Sequence, residues 1–317
     1  MSRMNIEIEE SRDELDELLT WTCGAESAPA RIAQQQTACP AGGGAGTGPA
    51  DFEPRHGSPA VATLSATRST EPRTAKAIIR GRSISKRYVM SADNYVDAVR
   101  DASLDIYEGE MIAVMGPSGS GKSTLVHILG CLDDTNSGEV WLDGRRVDNL
   151  KRRDLAKLRR TEVGFIFQTF NLVPSYTALE NVMLAAEYAG KSRREARGAA
   201  EVALTQVGLA DRFDHRPTEL SAGQQQRVAI ARALVNGPKV IFGDEPTGNL
   251  DSSSSTEIVE MMQEINAQTG TTFVLVTHDA NVASKCDRVF HMLDGRVTNG
   301  NGTKPPTPGD GSYGQAA

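Results

Sequence analysis

The sequence predicts an α/β fold with a mainly parallel β-sheet. Between residues 76 and 300, apolar runs of strand length alternate with helical stretches, a pattern typical of parallel sheets covered by helices. One of these runs, in GEMIAVMG, enters a glycine-rich turn from which a helix continues. The chain has 317 residues, of which 39% are hydrophobic, and this is enough for one large or two modest folded domains.

The expected elements follow in order along this region. AIIRGRSISKRYV and GEVWLDGRRV are expected to form strands. Between them lie the short buried strand in GEMIAVMG and the helix KSTLVHILGCL, which continues from the glycine turn. The later runs of strand length are VGFIFQ, KVIFGDE and TTFVLVTHD, and helical stretches separate them.

Both ends of the chain differ from this region. Residues 1–75 contain CPAGGGAGTGPA and many scattered Pro, Ser, Thr and Ala residues, so we expect a disordered tail, and likewise for residues 301–317. Residues 76–300 remain as the folded domain. Within the first tail, residues 11–21 have capping-box spacing and leucines on one helical face, which predicts a short solvated helix or, alternatively, a docking peptide.

Composition and charge exclude several classes of protein. The formal net charge is −7, which disfavours a general nucleic-acid binder. No apolar run reaches the roughly 18 residues of a membrane-spanning helix, and the acidic N-terminus is unlike a signal peptide. The scattered cysteines favour a reduced, cytosolic protein and indicate neither a disulfide nor a metal site: Cys23, Cys39, Cys131 and Cys286.

The nonapeptide GPSGSGKST has the spacing and the strand-turn-helix context of a phosphate-binding loop. Its glycines allow backbone N–H groups to converge on an anion, and the following helix directs its positive dipole end to the same place. We expect Lys122 to hold the β- and γ-phosphates, Ser123 to bind Mg²⁺ and Thr124 to reach the α-phosphate side. The predicted nucleotide-binding residues of the loop are Gly116, Pro117, Ser118, Gly119, Ser120, Gly121, Lys122, Ser123 and Thr124.

A pair of acidic residues supplies the groups that such a loop requires for catalysis. VIFGDE ends in Asp244 and Glu245, and adjacent residues at a strand end point in different directions. We therefore expect Asp244 to face Mg²⁺ and Glu245 to orient or deprotonate the attacking water.

Further motifs resemble those of ABC-type ATPases. LSAGQQQR, residues 220–227, is similar to the family's signature motif and precedes the acidic pair. Gln168 in IFQ resembles the Q-loop, Asp251 in GNLD the D-loop, and His278 in VTHD the switch histidine. Tyr88 in SKRYV resembles the aromatic residue that stacks on adenine. All occur in the family's order within residues 76–300.

This resemblance implies a fold and a set of roles. The fold would be a P-loop NTPase core with a mainly parallel sheet, an antiparallel β subdomain and an inserted α-helical subdomain at about residues 169–222. The cofactors would be ATP and Mg²⁺. The implied catalytic residues are Glu245, His278, Gln168 and Lys122, and the implied metal ligands are Ser123, Gln168 and Asp244.

The resemblance also implies that two copies pair head to tail. The signature residues Ser221, Ala222, Gly223 and Gln224 would then face the nucleotide of the partner, with Ser221 and Gly223 near the γ-phosphate held by the partner's Lys122. Ala222 replaces the family's usual glycine, and we expect its methyl group to crowd this turn.

Longer stretches resemble the lipoprotein-release and macrolide-export branch of the family. They are GPSGSGKSTLVHILGCLD, GFIFQTFNLVPSYTALENV and LSAGQQQRVAIARAL. The implied partner is a separately encoded integral membrane permease, which would hold the chain at the inner face of the cell membrane and receive force during export or lipoprotein release. NLVPSYTALENV, residues 171–182, is where the family receives the permease, although it can also be read as a packing surface.

Other ABC-type proteins remain as alternatives. A soluble ATPase of DNA repair or chromosome structure would carry a coiled coil or zinc insertion between Gln168 and Ser221, and none is apparent. A translation-associated protein would carry two phosphate loops, and an inert subunit would lack the acidic pair. KRRDLAKLRR, residues 151–160, predicts a solvated helix face or, alternatively, a contact with anionic lipid.

Overall fold

The computed structural model describes residues 76–91 and 94–299, which form two β-sheets and seven α-helices. The predicted tails and the segment 11–21 lie outside these residues. The domain boundaries and the behaviour of the tails therefore stay predictions.

The larger sheet has six strands and forms the centre of the structure. Its order is β10-β9-β3-β8-β7-β6, and all neighbours are parallel except the edge pair β10 and β9. Its central strands are short and apolar on both faces, as is usual when helices cover a parallel sheet. The strands are β3 (Met111–Met115), β6 (Val163–Phe167), β7 (Val240–Asp244), β8 (Thr272–Val276), β9 (Arg288–Leu293) and β10 (Arg296–Asn299).

The smaller sheet is antiparallel, in the order β2-β1-β4-β5. Its long strands place polar side chains outward and pack apolar side chains against α1, the helix that follows the phosphate loop. The strands are β1 (Ala77–Ser91), β2 (Asn94–Tyr107), β4 (Ser137–Leu142) and β5 (Arg145–Arg146).

The helices divide into those that cover the large sheet and those of an inserted helical segment. In the segment, Thr177 and Ser192 begin α3 and α4 with reciprocal capping boxes. The helices are α1 (Lys122–Leu129), α2 (Arg152–Thr161), α3 (Ala178–Tyr188), α4 (Arg193–Gln206), α5 (Ala222–Leu234), α6 (Ser252–Thr269) and α7 (Ala280–Ser284). None of these helices has both the length and the apolar character that crossing a bilayer requires.

The predicted fold class is confirmed: a mainly parallel sheet, an antiparallel sheet and an inserted helical segment. Sequence reasoning did not anticipate β2, β9 and β10. The turn Asp294-Gly295 joins β9 to β10 with left-handed φ values of 47° and 79°. Asp-Gly between two strands is a known hairpin signal, so this pair could have been found. By contrast, buried and exposed residues do not alternate regularly along β2, and its pairing with β1 contains several register shifts.

Candidate functional site

Four parallel strands end at one edge of the large sheet and bring the predicted residues together. Phe167 pairs with Asp244, Asp244 pairs with Val276, and Val276 pairs with Val114. The residues that leave these strands therefore emerge side by side. They include the phosphate loop after β3, Gln168 after β6, Glu245 after β7 and His278 after β8.

The phosphate loop depends on two glycines that have no room for a side chain. A Cβ atom at Gly116 would lie 2.1 Å from the Met292 carbonyl oxygen, and one at Gly121 would lie 1.9 Å from the Ala98 carbonyl oxygen. Gly121 also has a left-handed φ of 95° at the N-cap of α1. These close approaches let the loop fold tightly between the two sheets and leave its backbone N–H groups available to an anion.

Lys122 lies under this loop, with only 7% of the residue exposed. Its Nζ donates hydrogen bonds to the carbonyl oxygens of Gly116 and Pro117, at 2.9 and 2.8 Å. Among the described residues, no carboxylate lies within ion-pair distance of this ammonium group. The buried hydroxyl of Ser120, in the same loop, has no hydrogen-bond partner in the described protein. A buried cation without a close ion pair and an unsatisfied hydroxyl both suit an anionic ligand.

Ser123 and Asp244 form the adjacent polar pair. The Ser123 hydroxyl donates to Asp244 Oδ1 at 2.9 Å. Burial raises the pKa of Asp244 above its ordinary value, while the hydrogen bond from Ser123 and the nearby His127 act in the opposite direction. Hydroxyl and carboxylate oxygens are ligands that Mg²⁺ accepts, so this pair fits the predicted metal.

Sequence reasoning did not identify His127 as a neighbour of this pair. Its Nε2 lies 3.8 Å from Asp244 Oδ2, and burial lowers its pKa. His127 is four residues after Ser123 on α1, so the two side chains share one helical face. That spacing was the available signal.

Glu245 and His278 lie together at the end of β7 and β8. Glu245 has a left-handed φ of 47°, and its backbone N–H donates to the Val276 carbonyl oxygen at 3.1 Å. Its Oε1 lies 3.4 Å from His278 Nδ1, and the His278 side chain is 70% exposed. The two adjacent carboxylates thus have different partners, since Asp244 contacts Ser123 and His127 while Glu245 contacts His278.

Gln168 and Asp251 have well-defined local partners. Asn249 Nδ2 donates to the Gln168 carbonyl oxygen at 2.8 Å, and the Gln168 side-chain amide lies 3.4 Å from Asn249 Oδ1. Asp251 caps α6 by accepting the backbone N–H groups of Ser253 and Ser254 at 3.0 Å. The hydrogen bond from the Ser254 backbone N–H is the main reason that the pKa of Asp251 lies below its ordinary value. The Q-loop is thus tied to the turn that leads to α6.

The signature residues form a separate helix N-terminus. Ser221 Oγ accepts the Gln224 backbone N–H at 3.3 Å, and Gln224 Oε1 accepts the Ser221 backbone N–H at 3.0 Å. The expectation that Ala222 crowds the turn is wrong, because Ala222 is exposed in the first turn of α5. A side chain at Gly223 would also meet Ser254 only at ordinary contact distance. Within the part of the chain described, Ser221 and Gln224 form no hydrogen bond with the phosphate loop.

Tyr88 lies three residues before the end of β1, on the antiparallel sheet. Its hydroxyl donates to Asp133 Oδ2 at 2.6 Å. Asp133 follows α1, so Tyr88 is attached to the far end of the helix that begins in the phosphate loop.

Comparison with known proteins agrees with this arrangement. The ABC transporter family model matches residues 99–248. The structure resembles the dimeric ATP-binding cassette MJ0796, described in a post-hydrolysis state bound to ADP and Pi, with a TM-score of 0.66 and 42% identity. The match covers 72% of this chain and 99% of the cassette. This chain is an ATP-binding cassette of the ABC transporter family.

Several relatives of this cassette are much longer than this chain. The macrolide export ATP-binding/permease protein MacB of Marinobacter nauticus is 49% identical over 212 residues, which is 67% of this chain and 33% of that protein. The chain therefore spans about a third of the length of the curated relatives it matches. A second cassette, cbiO1 of Clostridium perfringens, is described as part of the ABC transporter complex cbiONQ. It has 31% identity and a TM-score of 0.63, over 70% of this chain and 87% of that one.

Proposed function

We propose that this cassette binds and hydrolyses Mg²⁺-ATP as a head-to-tail homodimer and thereby drives a membrane permease. One observation carries the proposal. The phosphate loop with Lys122, the Ser123–Asp244 pair and the Glu245–His278 pair converge on one edge of the sheet. These are the groups that phosphoryl transfer from a nucleotide to water requires.

The loop would hold the phosphates through its backbone N–H groups and its lysine. Lys122 would exchange its two carbonyl partners for the β- and γ-phosphate oxygens, and the unpartnered Ser120 hydroxyl would gain an acceptor. Thr124 would lie on the α-phosphate side, and the ring of Tyr88 would stack on adenine. No carboxylate of the described residues forms an ion pair with Lys122, so phosphate oxygens would neutralise its charge directly.

Ser123, Asp244 and Gln168 would bind Mg²⁺, which supplies neutralisation of the phosphate charge when it is bound. Ser123 and Asp244 are already in hydrogen-bond contact, so two oxygen ligands are present without rearrangement. Gln168 contributes from the neighbouring strand end, where Asn249 holds its backbone.

Glu245 would orient and deprotonate the attacking water. The carboxylate lies next to His278, whose exposed side chain can hold the water or the γ-phosphate oxygen that gains charge. Glu245 contacts His278 while Asp244 contacts Ser123, so the base and the metal ligand would act through different partners.

The helix N-terminus at Ser221 would complete the site of a second copy. It offers a hydroxyl, Gly223 and free backbone N–H groups, all of which suit an anion, yet it bonds no residue of its own phosphate loop in the described region. A resemblance to a dimeric cassette supports this arrangement. Asp251 would lie near the same dimer contact through its cap on α6.

The first test is a Glu245→Gln variant. It keeps the shape and hydrogen-bonding reach of the side chain and removes the base, so we expect ATP hydrolysis to fall by about 10²-fold or more. ATP binding should survive, and an ATP-bound dimer should accumulate, visible by gel filtration with ATP and Mg²⁺. Lys122→Ala should form no such dimer. The matched control is Glu260→Gln, which removes a carboxylate on α6 and should hydrolyse ATP normally. A monomeric Glu245→Gln protein with normal hydrolysis would refute the assignment.

The permease partner is the second part of the proposal. The names of the relatives support a permease partner, since one is an ATP-binding/permease protein and another is part of a transporter complex. That the permease is a separate chain rests on the resemblance of the sequence motifs. We propose a separately encoded integral membrane permease and, through it, a peripheral position at the inner face of the cell membrane. The chain should sediment with membranes only when that permease is co-expressed. Equal sedimentation with membranes that lack any permease would contradict this and favour direct lipid contact by the basic helix α2.

A further inference from the structure

Tyr88 is held in place by charged groups that the proposed chemistry does not use. Its hydroxyl donates a hydrogen bond to Asp133 Oδ2 at 2.6 Å, and Lys86 Nζ donates one to the other oxygen of the same carboxylate, also at 2.6 Å. Lys86 is itself largely buried, with 11% of its side chain exposed, and it also donates to the Asp134 carbonyl oxygen at 2.6 Å. The ring orientation is thus fixed by an ion pair between Lys86 on β1 and Asp133, which follows α1.

The same ion pair defines which part of the ring is available. Lys86 Nζ lies over the Tyr88 ring, 5.1 Å from its centroid, so the cation covers the ring from one side. Tyr88 as a whole is only half-buried. A planar ligand would therefore have to approach the side of the ring that Lys86 does not cover.

Tyr88 is also connected to the phosphate loop. Burial and the bond to Asp133 raise the Tyr88 pKa to about 12, while the Thr124 hydroxyl acts in the opposite direction. The phenol therefore stays a donor at neutral pH. Asp133 lies just beyond the end of α1, so its bond with Tyr88 links the ring to the helix that begins in the phosphate loop.

Such a connection has a physical consequence for binding. An unrestrained, half-buried tyrosine loses rotamer freedom when a ligand orders it, and this loss opposes binding. A ring already fixed by Asp133 avoids the loss. Because Asp133 is linked to α1, the fixed ring is also placed at a constant position relative to the phosphate loop.

We propose that Asp133 and Lys86 are positioning residues that orient the Tyr88 ring in advance for stacking on the base of a bound nucleotide. This rests on the proposed function, in which Tyr88 contacts adenine. The pair contributes to recognition of the base and contributes nothing to binding of the phosphates. A merely structural ion pair would affect both equally.

The test compares ATP with inorganic tripolyphosphate, which lacks a base, by calorimetry on the full chain. Tyr88→Phe keeps the ring and removes the hydroxyl, and Asp133→Asn removes the charge that holds it. Each should raise the Kd for ATP by about two- to twelvefold, the range expected for ordering one side chain on binding. The Kd for tripolyphosphate should not change. The double variant should be no weaker than either single variant, because both remove the same restraint.

Two further variants make the test specific. Tyr88→Ala removes the stacking surface and should weaken ATP binding by about fivefold or more. Tyr95→Phe is the matched control, because Tyr95 is an exposed tyrosine on the neighbouring strand whose ring contacts Arg87 instead. It should bind both ligands normally. An unchanged tripolyphosphate Kd in Asp133→Asn also shows that the variant is folded.

Unchanged ATP affinity in both Tyr88→Phe and Asp133→Asn would overturn the positioning role and leave the proposed function intact. An equal loss of affinity for both ligands would overturn it as well, since that result indicates a general structural effect. A failure of the unmodified chain to bind ATP would instead overturn the proposed function, and this inference with it.

Discussion

Two glycines of the phosphate loop have similar backbone conformations but different surroundings. Gly119 has a φ of 78° and Gly121 a φ of 95°, both in the left-handed region. Among the described residues, a Cβ atom at Gly119 would meet no atom within 4 Å, whereas at Gly121 it would collide with the Ala98 carbonyl oxygen at 1.9 Å. Backbone atoms of the neighbouring strand cannot rotate away. An alanine at Gly119 therefore tests backbone strain alone, whereas an alanine at Gly121 tests backbone strain together with a steric collision.

We expect Gly119→Ala to lower the free energy of unfolding by about 1–2 kcal/mol, the cost of a left-handed alanine. Gly121→Ala adds the collision, and overpacking adds about 1–3 kcal/mol more. Urea unfolding of the two full-length variants without nucleotide measures the difference. Equal losses of stability would contradict the geometry, because only one of the two sites lacks space for a methyl group.

At the scale of elements, local signals accounted for the core of the fold. The central strands β3, β7 and β8 are short apolar runs that end in a glycine turn, an acidic pair and a histidine, and each was predicted with nearly its observed bounds. Long, irregular β2 was not predicted, because its bulged pairing with β1 breaks the alternation that identifies a strand. Its position is decided by tertiary contact with β1 and α1, which no local pattern encodes.

In the candidate site as well, some features follow from local sequence signals and others only from tertiary contacts. Asp244 and Glu245 were assigned different roles from their adjacency alone, and in the structure they contact different partners, Ser123 and His278 respectively. The contact between Ser123 and Asp244, 121 positions apart, follows from strand order and required the motif to be recognised. His127 was not predicted, although its spacing of four residues from Ser123 was a signal, and Asp133 carries no local signal until the fold places Tyr88 beside it.

At the scale of the whole molecule, the proposed function assigns two half-sites to the described cassette. One half-site consists of the phosphate loop and the acidic pair at the edge of the large sheet. The other is the N-terminus of α5 at Ser221, capped by its own Gln224. If two copies pair head to tail, each nucleotide contacts Lys122 of one copy and Ser221 of the other. A substitution in the phosphate loop of one copy and a substitution in the signature of the other would then damage the same site, and the second site of the dimer would stay intact.

A mixture of Lys122→Ala and Ser221→Arg chains tests this pairing. In a mixed dimer, one site combines the intact phosphate loop of the second chain with the intact signature of the first, and the other site carries both lesions. We therefore expect ATP hydrolysis by the mixture to exceed clearly that of either variant alone. Ser192→Arg is the matched control for the arginine, since Ser192 caps α4 with the same capping box outside the proposed site, and this variant should remain active by itself. If Ser221 served the nucleotide of its own chain, every site in the mixture would be damaged and mixing would restore nothing.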